Sequence, residues 1–223
     1  MTFTGGFERY QPYINWRPFL RSAPLLRSCI VTHRTSLGRV MKPILHGPLF
    51  SNTASVLHTF NSNVASVPLC VPHLRNLTVH DYATIFELLN TLKAHPRLER
   101  LAIYRSGTNG PIMEIDPFPQ VYLPVLDTIM IVATPYTFIA IMNQITIPVA
   151  LRSIDCTIFV MELFPDSVVD QLREPIERIF QCHAESVSGT SNLRRIGISV
   201  HSSVFEFFAG SSFSLKASVP WHV

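Results

Sequence analysis

The stretch that decides the fold reads Val71-Pro72-His73-Leu74-Arg75-Asn76-Leu77-Thr78-Val79. It contains the phrase Leu-x-x-apolar-x-apolar, and a proline stands two residues before the leading leucine. Its last four residues alternate polar and apolar side chains, which is typical of a strand with one buried face. Proline cannot donate a hydrogen bond to a neighbouring strand, so it belongs just before the strand begins.

The phrase recurs along the chain. Clear copies open at Leu74, Leu98, Leu126, Leu151 and Leu193, and weaker copies open at Leu26 and Leu57. The first four clear copies are separated by 24, 28 and 25 residues. These separations fall in or beside the period of about 20–29 residues that leucine-rich repeats use. The sequence therefore predicts a series of equivalent strands.

Between the phrases the apolar period changes from two to about 3.6, which indicates amphipathic helices. The three segments with this spacing are Ile85, Leu88, Leu89 and Leu92; Phe138, Ile141, Met142 and Ile145; and Val169, Leu172, Ile176 and Ile179. Pro175 lies inside the third segment and predicts a kink or two short helices there. Strands that alternate with helices in this way predict parallel pairing through right-handed crossovers.

The predicted fold is therefore α/β: an irregular leucine-rich-repeat solenoid with parallel strands on the concave face and short helices on the convex face. Residues 1–22 are expected to form an N-terminal segment or cap, and residues 23–200 the repeat domain. Residues 201–223 are expected to be a C-terminal cap or tail, whose phenylalanines cover the open edge of the last repeat.

The Val71–Val79 phrase and the following His95-Pro96-Arg97-Leu98-Glu99-Arg100-Leu101 resemble the irregular leucine-rich-repeat half of fungal F-box-like proteins. The resemblance covers roughly residues 16–200. It implies a protein-binding module, the substrate-recognition part of an F-box-type ubiquitin-ligase adaptor. The helical Leu-Pro segment of an F-box is not seen in this sequence, so recruitment of a ligase scaffold would need an F-box elsewhere.

One departure from better-known repeats predicts an irregular arc. Those repeats carry Asn or Cys three residues after the last apolar position, where it forms a polar ladder. The corresponding residues here are Tyr82, Ser106, Thr134, Phe159 and His201.

On such a fold, the residues that alternate with the buried positions face outward. They are Asn76, Thr78 and His80; Arg100, Ala102 and Tyr104; Thr128, Met130 and Val132; Ser153, Asp155 and Thr157; and Arg195, Gly197 and Ser199. We predict that this surface binds a protein through Asn76, Thr78, His80, Arg100, Tyr104, Thr128, Met130, Ser153, Asp155 and Arg195. Tyr104 flanked by Arg100 is the strongest candidate, because Tyr and Arg are enriched among residues that dominate binding energy.

The sequence carries no catalytic motif that we recognise: no GxSxG, GxxxxGK[ST], HExxH or GxGxxG. Its nine histidines are scattered, and its four cysteines form no CxxC pair. Asp166, Asp170, Glu174 and Glu177 follow a helical spacing and predict a solvated helix face with a Glu174–Arg178 ion pair. We predict a protein that is not an enzyme and that uses no metal and no cofactor.

Two other functions stay open. The first 50 residues contain seven basic residues and one acidic residue, which would suit a nucleic-acid-binding arm. An α/β enzyme with an unrecognised site is the other alternative.

The densest apolar run, residues 129–133, is far shorter than the ~20 residues of a membrane span. With no secretory signal and thiols interpreted as reduced, the expected location is intracellular, in the cytoplasm or nucleus, without a membrane partner.

Overall fold

A computed structural model describes residues 2–5, 20–33, 49–62, 71–80, 84–104, 117–148, 151–159, 166–187, 195–201, 205–209 and 214–216 of the 223-residue chain. The three helices are α1 Ile85–Ala94, α2 Pro135–Gln144 and α3 Asp166–Val187. The strands are β1 Thr2–Gly5, β2 Ser28–His33, β3 Thr59–Ser62, β4 Asn76–His80, β5 Arg100–Tyr104, β6 Val121–Tyr122, β7 Thr128–Ala133, β8 Ile145–Thr146, β9 Ser153–Phe159, β10 Arg195–His201, β11 Phe205–Ala209 and β12 Ser214–Lys216. A short 3-10 turn spans Leu49–Asn52.

Ten of these strands form one sheet, and they lie side by side in the order in which the chain visits them, from β1 to β5, then β7, and from β9 to β12. Every neighbouring pair from β1 to β10 is parallel. Strands β11 and β12 are antiparallel additions at the end. The predicted α/β class with a mostly parallel sheet is confirmed, and the five clear phrases lead into β4, β5, β7, β9 and β10.

The turn before each strand explains the recurring proline. The leading leucine donates its backbone N–H to the carbonyl three residues earlier: Leu74 to Val71 at 3.3 Å, and Leu126 to Leu123 at 3.1 Å. The proline is the second residue of this turn, where its fixed φ is favourable and its missing N–H costs nothing.

A single repeated contact sets the register from one unit to the next. The carbonyl of Arg75 accepts hydrogen bonds from the N–H groups of Glu99 and Arg100, at 2.8 and 2.9 Å. The carbonyl of Glu99 accepts two in the same way from Asp127 and Thr128. Equivalent residues of successive phrases are therefore neighbours across the sheet.

The apolar core lies between the sheet and the helices. The leading leucines at 57, 74, 98, 126 and 151 are at most 1% exposed. The predicted helix positions Ile85, Leu88, Leu89 and Leu92 are at most 2% exposed and belong to the same buried cluster. Helix α1 packs on α2, and α2 packs on α3. Burying a leucine-sized side chain is worth roughly 1.5–3 kcal/mol, so this face supplies much of the stability.

Two predictions about the helices need correction. Helix α2 ends at Gln144, so Ile145 is not helical but pairs with Val121 in a separate two-stranded parallel sheet formed by β6 and β8. The alternative of two short helices around Pro175 is wrong, because α3 is a single helix of 22 residues with the proline inside and buried. The packing of α3 on α2 holds the helix together across the lost hydrogen bond.

The predicted Glu174–Arg178 ion pair is also wrong. The Arg178 Nη2 atom instead donates to the Met142 carbonyl at 2.7 Å and to Asn143 Oδ1 at 3.1 Å. These groups lie in the last turn of α2, which has no basic residue of its own. The free carbonyls at a helix C-terminus carry partial negative charge and accept hydrogen bonds from a cation.

Beyond the last phrase the chain returns along the sheet. Strand β11 pairs antiparallel with β10, with Phe205 opposite Val200 and Ala209 opposite Ile196, and so occupies the outer edge of β10. Within the described residues, no helix has the length and apolar character needed to cross a membrane.

Candidate functional site

The side of the sheet away from the helices carries the polar half of each strand. We call it the open face and define it by Thr59 and Asn61 on β3; Asn76, Thr78 and His80 on β4; Arg100, Ala102 and Tyr104 on β5; Thr128, Met130 and Val132 on β7; Ser153, Asp155 and Thr157 on β9; and Arg195 on β10. Each of these residues is partly or fully exposed. All ten residues predicted to bind a partner lie on this face.

The parallel register arranges the open face in rows. Asn76, Arg100, Thr128, Ser153 and Arg195 are successive Cα partners in the first row. The same registers align a second row that contains Met130 and Asp155, and a third that contains His80 and Tyr104. Neighbouring strands lie about 4.8 Å apart, so side chains within a row are in contact distance.

Hydrogen bonds fix the first row across three strands. Asn76 Nδ2 donates to Thr59 Oγ1 at 3.0 Å, and Arg100 Nε donates to Asn76 Oδ1 at 2.6 Å. The Asn76 amide thus uses both its donor and its acceptor, and Arg100 is held in one direction while its side chain stays exposed. A guanidinium held in this way loses less side-chain entropy when it binds an acceptor.

An aromatic cluster occupies the third row. The rings of His80 and Tyr104 stack with centroids 4.6 Å apart and planes 8° from parallel. The Tyr104 hydroxyl donates to the Met130 sulfur at 3.2 Å, which carries the cluster into the second row. Stacked rings and a thioether form an apolar, polarisable surface in the middle of a polar face.

Asp155 is the carboxylate of the second row, between Met130 on β7 and Gly197 on β10. A Cβ atom placed on Gly197 would lie 3.0 Å from Asp155 Oδ1 and 3.4 Å from Cγ. The carboxylate therefore occupies the space beside Gly197 that a larger residue would take. A glycine inside a strand often marks such a close approach.

Two ion pairs border the open face. Each joins the residues that directly follow the leading leucines of two neighbouring phrases. Arg75 Nη1 lies 2.9 Å from Glu99 Oε1, and Arg152 Nε lies 3.2 Å from Asp127 Oδ1. All four side chains are more than 40% exposed, so each pair contributes at most about 1 kcal/mol. Their main effect is to leave these two acids already satisfied.

Two residues expected to face solvent are buried instead. Gly197 is buried, and Ser199 is 8% exposed. Gly197 is buried in part because it has no side chain and the Asp155 carboxylate lies beside it. The exposed part of the face therefore ends near Asp155 and Arg195.

The described thiols are poor nucleophiles. Burial raises the pKa of the Cys29 thiol from 9.0 to about 11, and burial also raises that of Cys156, to which the neighbouring Asp155 charge adds. Burial likewise raises the pKa of Cys182, with a smaller contribution from Glu185. Among the described residues no three His, Cys, Asp or Glu side chains come together as a metal site.

Several residues weighed at the sequence level lie outside the described ranges. Tyr82 and Ser106, which replace the Asn or Cys of better-known repeats, are among them, as are Arg9, Arg17, Arg34, Arg39 and Lys42 of the basic front. Thr134, another of these replacements, is the N-cap residue of α2, fully buried, with its hydroxyl 3.2 Å from that of Thr137.

Sequence reasoning missed the bordering ion pairs. The signal was present, because the residue after the leading leucine is charged in all five clear phrases; in the four that lead into β4, β5, β7 and β9 it is Arg75, Glu99, Asp127 and Arg152. Once those phrases are aligned as parallel strands, the opposite charges become neighbours.

No protein family, no curated protein and no solved structure matches this chain.

Proposed function

We propose that the chain is an irregular leucine-rich-repeat solenoid, with its parallel strands on the concave face and its short helices on the convex face. Support comes from the order of the strands, which follows the chain, and from the equivalent turns at Leu74, Leu98 and Leu126. The carbonyl contacts that link each unit only to the next also fit a stacked architecture.

We propose further that this protein binds another protein through the open face and has no catalytic activity. The observation that carries the proposal is the fixed arrangement of Arg100 and Tyr104. Asn76 holds the guanidinium, and His80 and Met130 hold the phenol ring and its hydroxyl. Pre-ordered Arg and Tyr side chains that remain accessible lose little entropy on binding, which is what residues dominating an interface need.

The resemblance to F-box-like proteins gives the proposal its biological setting. In that setting the open face recognises substrates for a ubiquitin ligase, and an F-box supplied elsewhere contacts the scaffold. An intracellular location in the cytoplasm or nucleus is part of the same proposal. The free thiols of Cys29 and Cys156 suit a reducing compartment.

The test is quantitative affinity capture with a double variant, Arg100→Ala with Tyr104→Ala. We expect the specifically retained partner to fall by about tenfold or more, because truncating central Tyr and Arg residues typically costs well over 1 kcal/mol. The matched control changes two exposed residues on α1, Glu87→Ala with Lys93→Ala, and should retain the partner.

Both double variants must keep the denaturation midpoint of the parent chain within a small margin, which excludes unfolding as the cause. Equal retention of the partner by the parent chain and by the Arg100/Tyr104 variant would contradict a binding role for the open face. Loss of the partner in the α1 variant instead would move the interface to the helices.

A further inference from the structure

The acids around the open face differ in whether a cation already neutralises them. Glu99 and Asp127 are paired with arginines at 2.9 and 3.2 Å. Asp155 takes part in no ion pair within 4.0 Å among the described residues. It is partly exposed, and it lies inside the face and not at its border.

Among the described residues, Arg152 and Arg195 stand at the start of β9 and β10, and neither pairs with Asp155. Arg152, which precedes β9, is turned to Asp127 on the other side. Arg195 stands one pleat away on β10, opposite Ser153, and its side chain is exposed. The second row therefore presents a carboxylate whose charge no contact in the described part of the chain compensates.

Gly197 leaves room for this carboxylate. Any side chain at position 197 would begin 3.0 Å from Asp155 Oδ1, closer than ordinary van der Waals contact allows. The neighbour on the other strand, Met130, is fixed by the Tyr104 hydroxyl at 3.2 Å. Asp155 is thus bounded by a glycine backbone on one side and by a methionine and an aromatic cluster on the other.

That combination has the chemistry of a receptor for a basic side chain. The aliphatic stem of a lysine or arginine packs on apolar, polarisable groups such as Met130 and Tyr104, while its charged end seeks a carboxylate. A partly desolvated carboxylate attracts a cation more strongly than one in bulk water, because screening is weaker there.

We propose that Asp155 is the anchor for a lysine or arginine side chain of the protein partner, which Met130 and Tyr104 contact along its stem. The inference rests on the proposed binding function of the open face and names the chemistry of the segment bound there: a basic peptide segment of the partner. Arg195 and Arg100 flank this position, so acidic or polar residues are expected on either side of the basic residue.

The test begins with a displayed library of random twelve-residue peptides, selected on the full chain and counter-selected on the Arg100→Ala/Tyr104→Ala variant. We expect the retained peptides to be enriched in lysine or arginine at one position. Asp155→Asn should then weaken a selected peptide by about tenfold and reduce the salt dependence of its dissociation constant.

The matched control is Asp127→Asn, which removes an acid of the same charge that already has a cation, and it should leave the affinity within about twofold. The charge reversal Asp155→Lys should shift a repeated selection from basic to acidic peptides. Gly197→Ala should weaken binding by displacing the Asp155 carboxylate while Arg100 and Tyr104 stay in place.

The outcomes separate the two proposals. Peptides that depend on Arg100 and Tyr104 but show no basic preference and bind equally to Asp155→Asn would overturn the role of Asp155 and leave the proposed function intact. A selection that yields no peptide preferring the parent chain to the Arg100/Tyr104 variant would overturn both.

Discussion

The two faces of the sheet are built from the same strands, and neighbouring residues along a strand point to opposite faces with different environments. Ile131 is 0% exposed beneath the helices, whereas Met130, one residue earlier, is partly exposed on the open face. The covered face of the central strands is made of Leu, Ile, Val, Ala and Cys. The open face mixes the polar residue types Asn, Thr, Ser, His, Arg, Tyr and Asp with the apolar Ala102, Met130 and Val132. Stability is concentrated on one side, which leaves the other side free to vary in chemistry.

The contrast between the two faces can be tested by truncating Ile131 and Met130 in separate variants. Ile131→Ala should destabilise the fold by about 2–5 kcal/mol, because it removes buried methyl groups and leaves a cavity. Met130→Ala should cost about 1 kcal/mol or less, because water and its neighbours can fill the space. Urea denaturation of both variants, with the slope of each transition recorded, gives the two free energies.

Binding should respond in the opposite order. Below its unfolding transition Ile131→Ala should bind like the parent chain, while Met130→Ala should bind more weakly, since Met130 borders Asp155 and Tyr104. Comparable stability losses in the two variants would show that both faces are packed, and the distinction between them would fail.

A second, smaller effect concerns the helix layer. Arg178→Ala should destabilise the chain by about 1–3 kcal/mol, because the Met142 carbonyl and the Asn143 amide oxygen lose a charged donor between α2 and α3. Arg173→Ala is the matched control on the same helix. Among the described residues its ion-pair partner is Asp170 at 3.7 Å, and its side chain is 68% exposed, so the change should stay within about 0.5 kcal/mol.

Thermal denaturation measures both arginine variants. Equal shifts in Tm would mean that Arg178 acts as a surface charge and that the contact between α2 and α3 does not depend on it. Restoration by Arg178→Lys, even in part, would identify the charge at the end of α2 as the cause.

The parts of the fold that sequence predicts are those that depend on local alternation. The phrase at Leu74–Val79 specifies by itself which side chains are buried, and each copy repeats that information. The spacing of Ile85, Leu88, Leu89 and Leu92 likewise predicts a helix whose apolar side meets the same core. Strand order then follows, because each unit can bury its apolar strip only against its neighbours.

The features that sequence reasoning missed depend on contacts between distant residues. The β6–β8 pair has two residues a side, too few for any periodicity, and its strands lie 24 residues apart. Arg178 looked like a helix-surface partner of Glu174 because nothing local marks the end of α2 as a neighbour. Gly197 was assigned to the exposed surface because alternation alone does not reveal the position of the Asp155 carboxylate.

The candidate site likewise has features that the sequence predicts and features that it does not. Alternation predicts that Arg100, Tyr104 and Asp155 share a face, and the structure places them there. It does not predict that Asn76 fixes Arg100, that Tyr104 reaches Met130, or that Asp155, unlike Glu99 and Asp127, has no cation paired with it in the described part of the chain. Those relations arise only when the register is known.

The smallest expected effect concerns the ionisation of thiols, which matters only at alkaline pH. It is tested by comparing thiols on the two faces of the sheet. Cys29 and Cys156 lie on the covered side, and burial raises the pKa of each. At pH 8 a haloacetamide should label neither thiol in the folded chain, although both should react after unfolding. The variant Ala102→Cys places a thiol on the open face, where the absence of deep burial should let it ionise and react quickly.

The same thiols make stability depend on pH in one direction. A raised pKa means that the folded chain keeps the proton that the unfolded chain releases, so stability is fully present below pH 9.0 and falls as pH rises toward about 11 for Cys29. Denaturation midpoints should therefore be constant with respect to these groups up to pH 9 and decline above it. Peptide mapping by mass spectrometry identifies the labelled cysteine, and rapid labelling of Cys156 at pH 8 would show that the covered face opens in the native state.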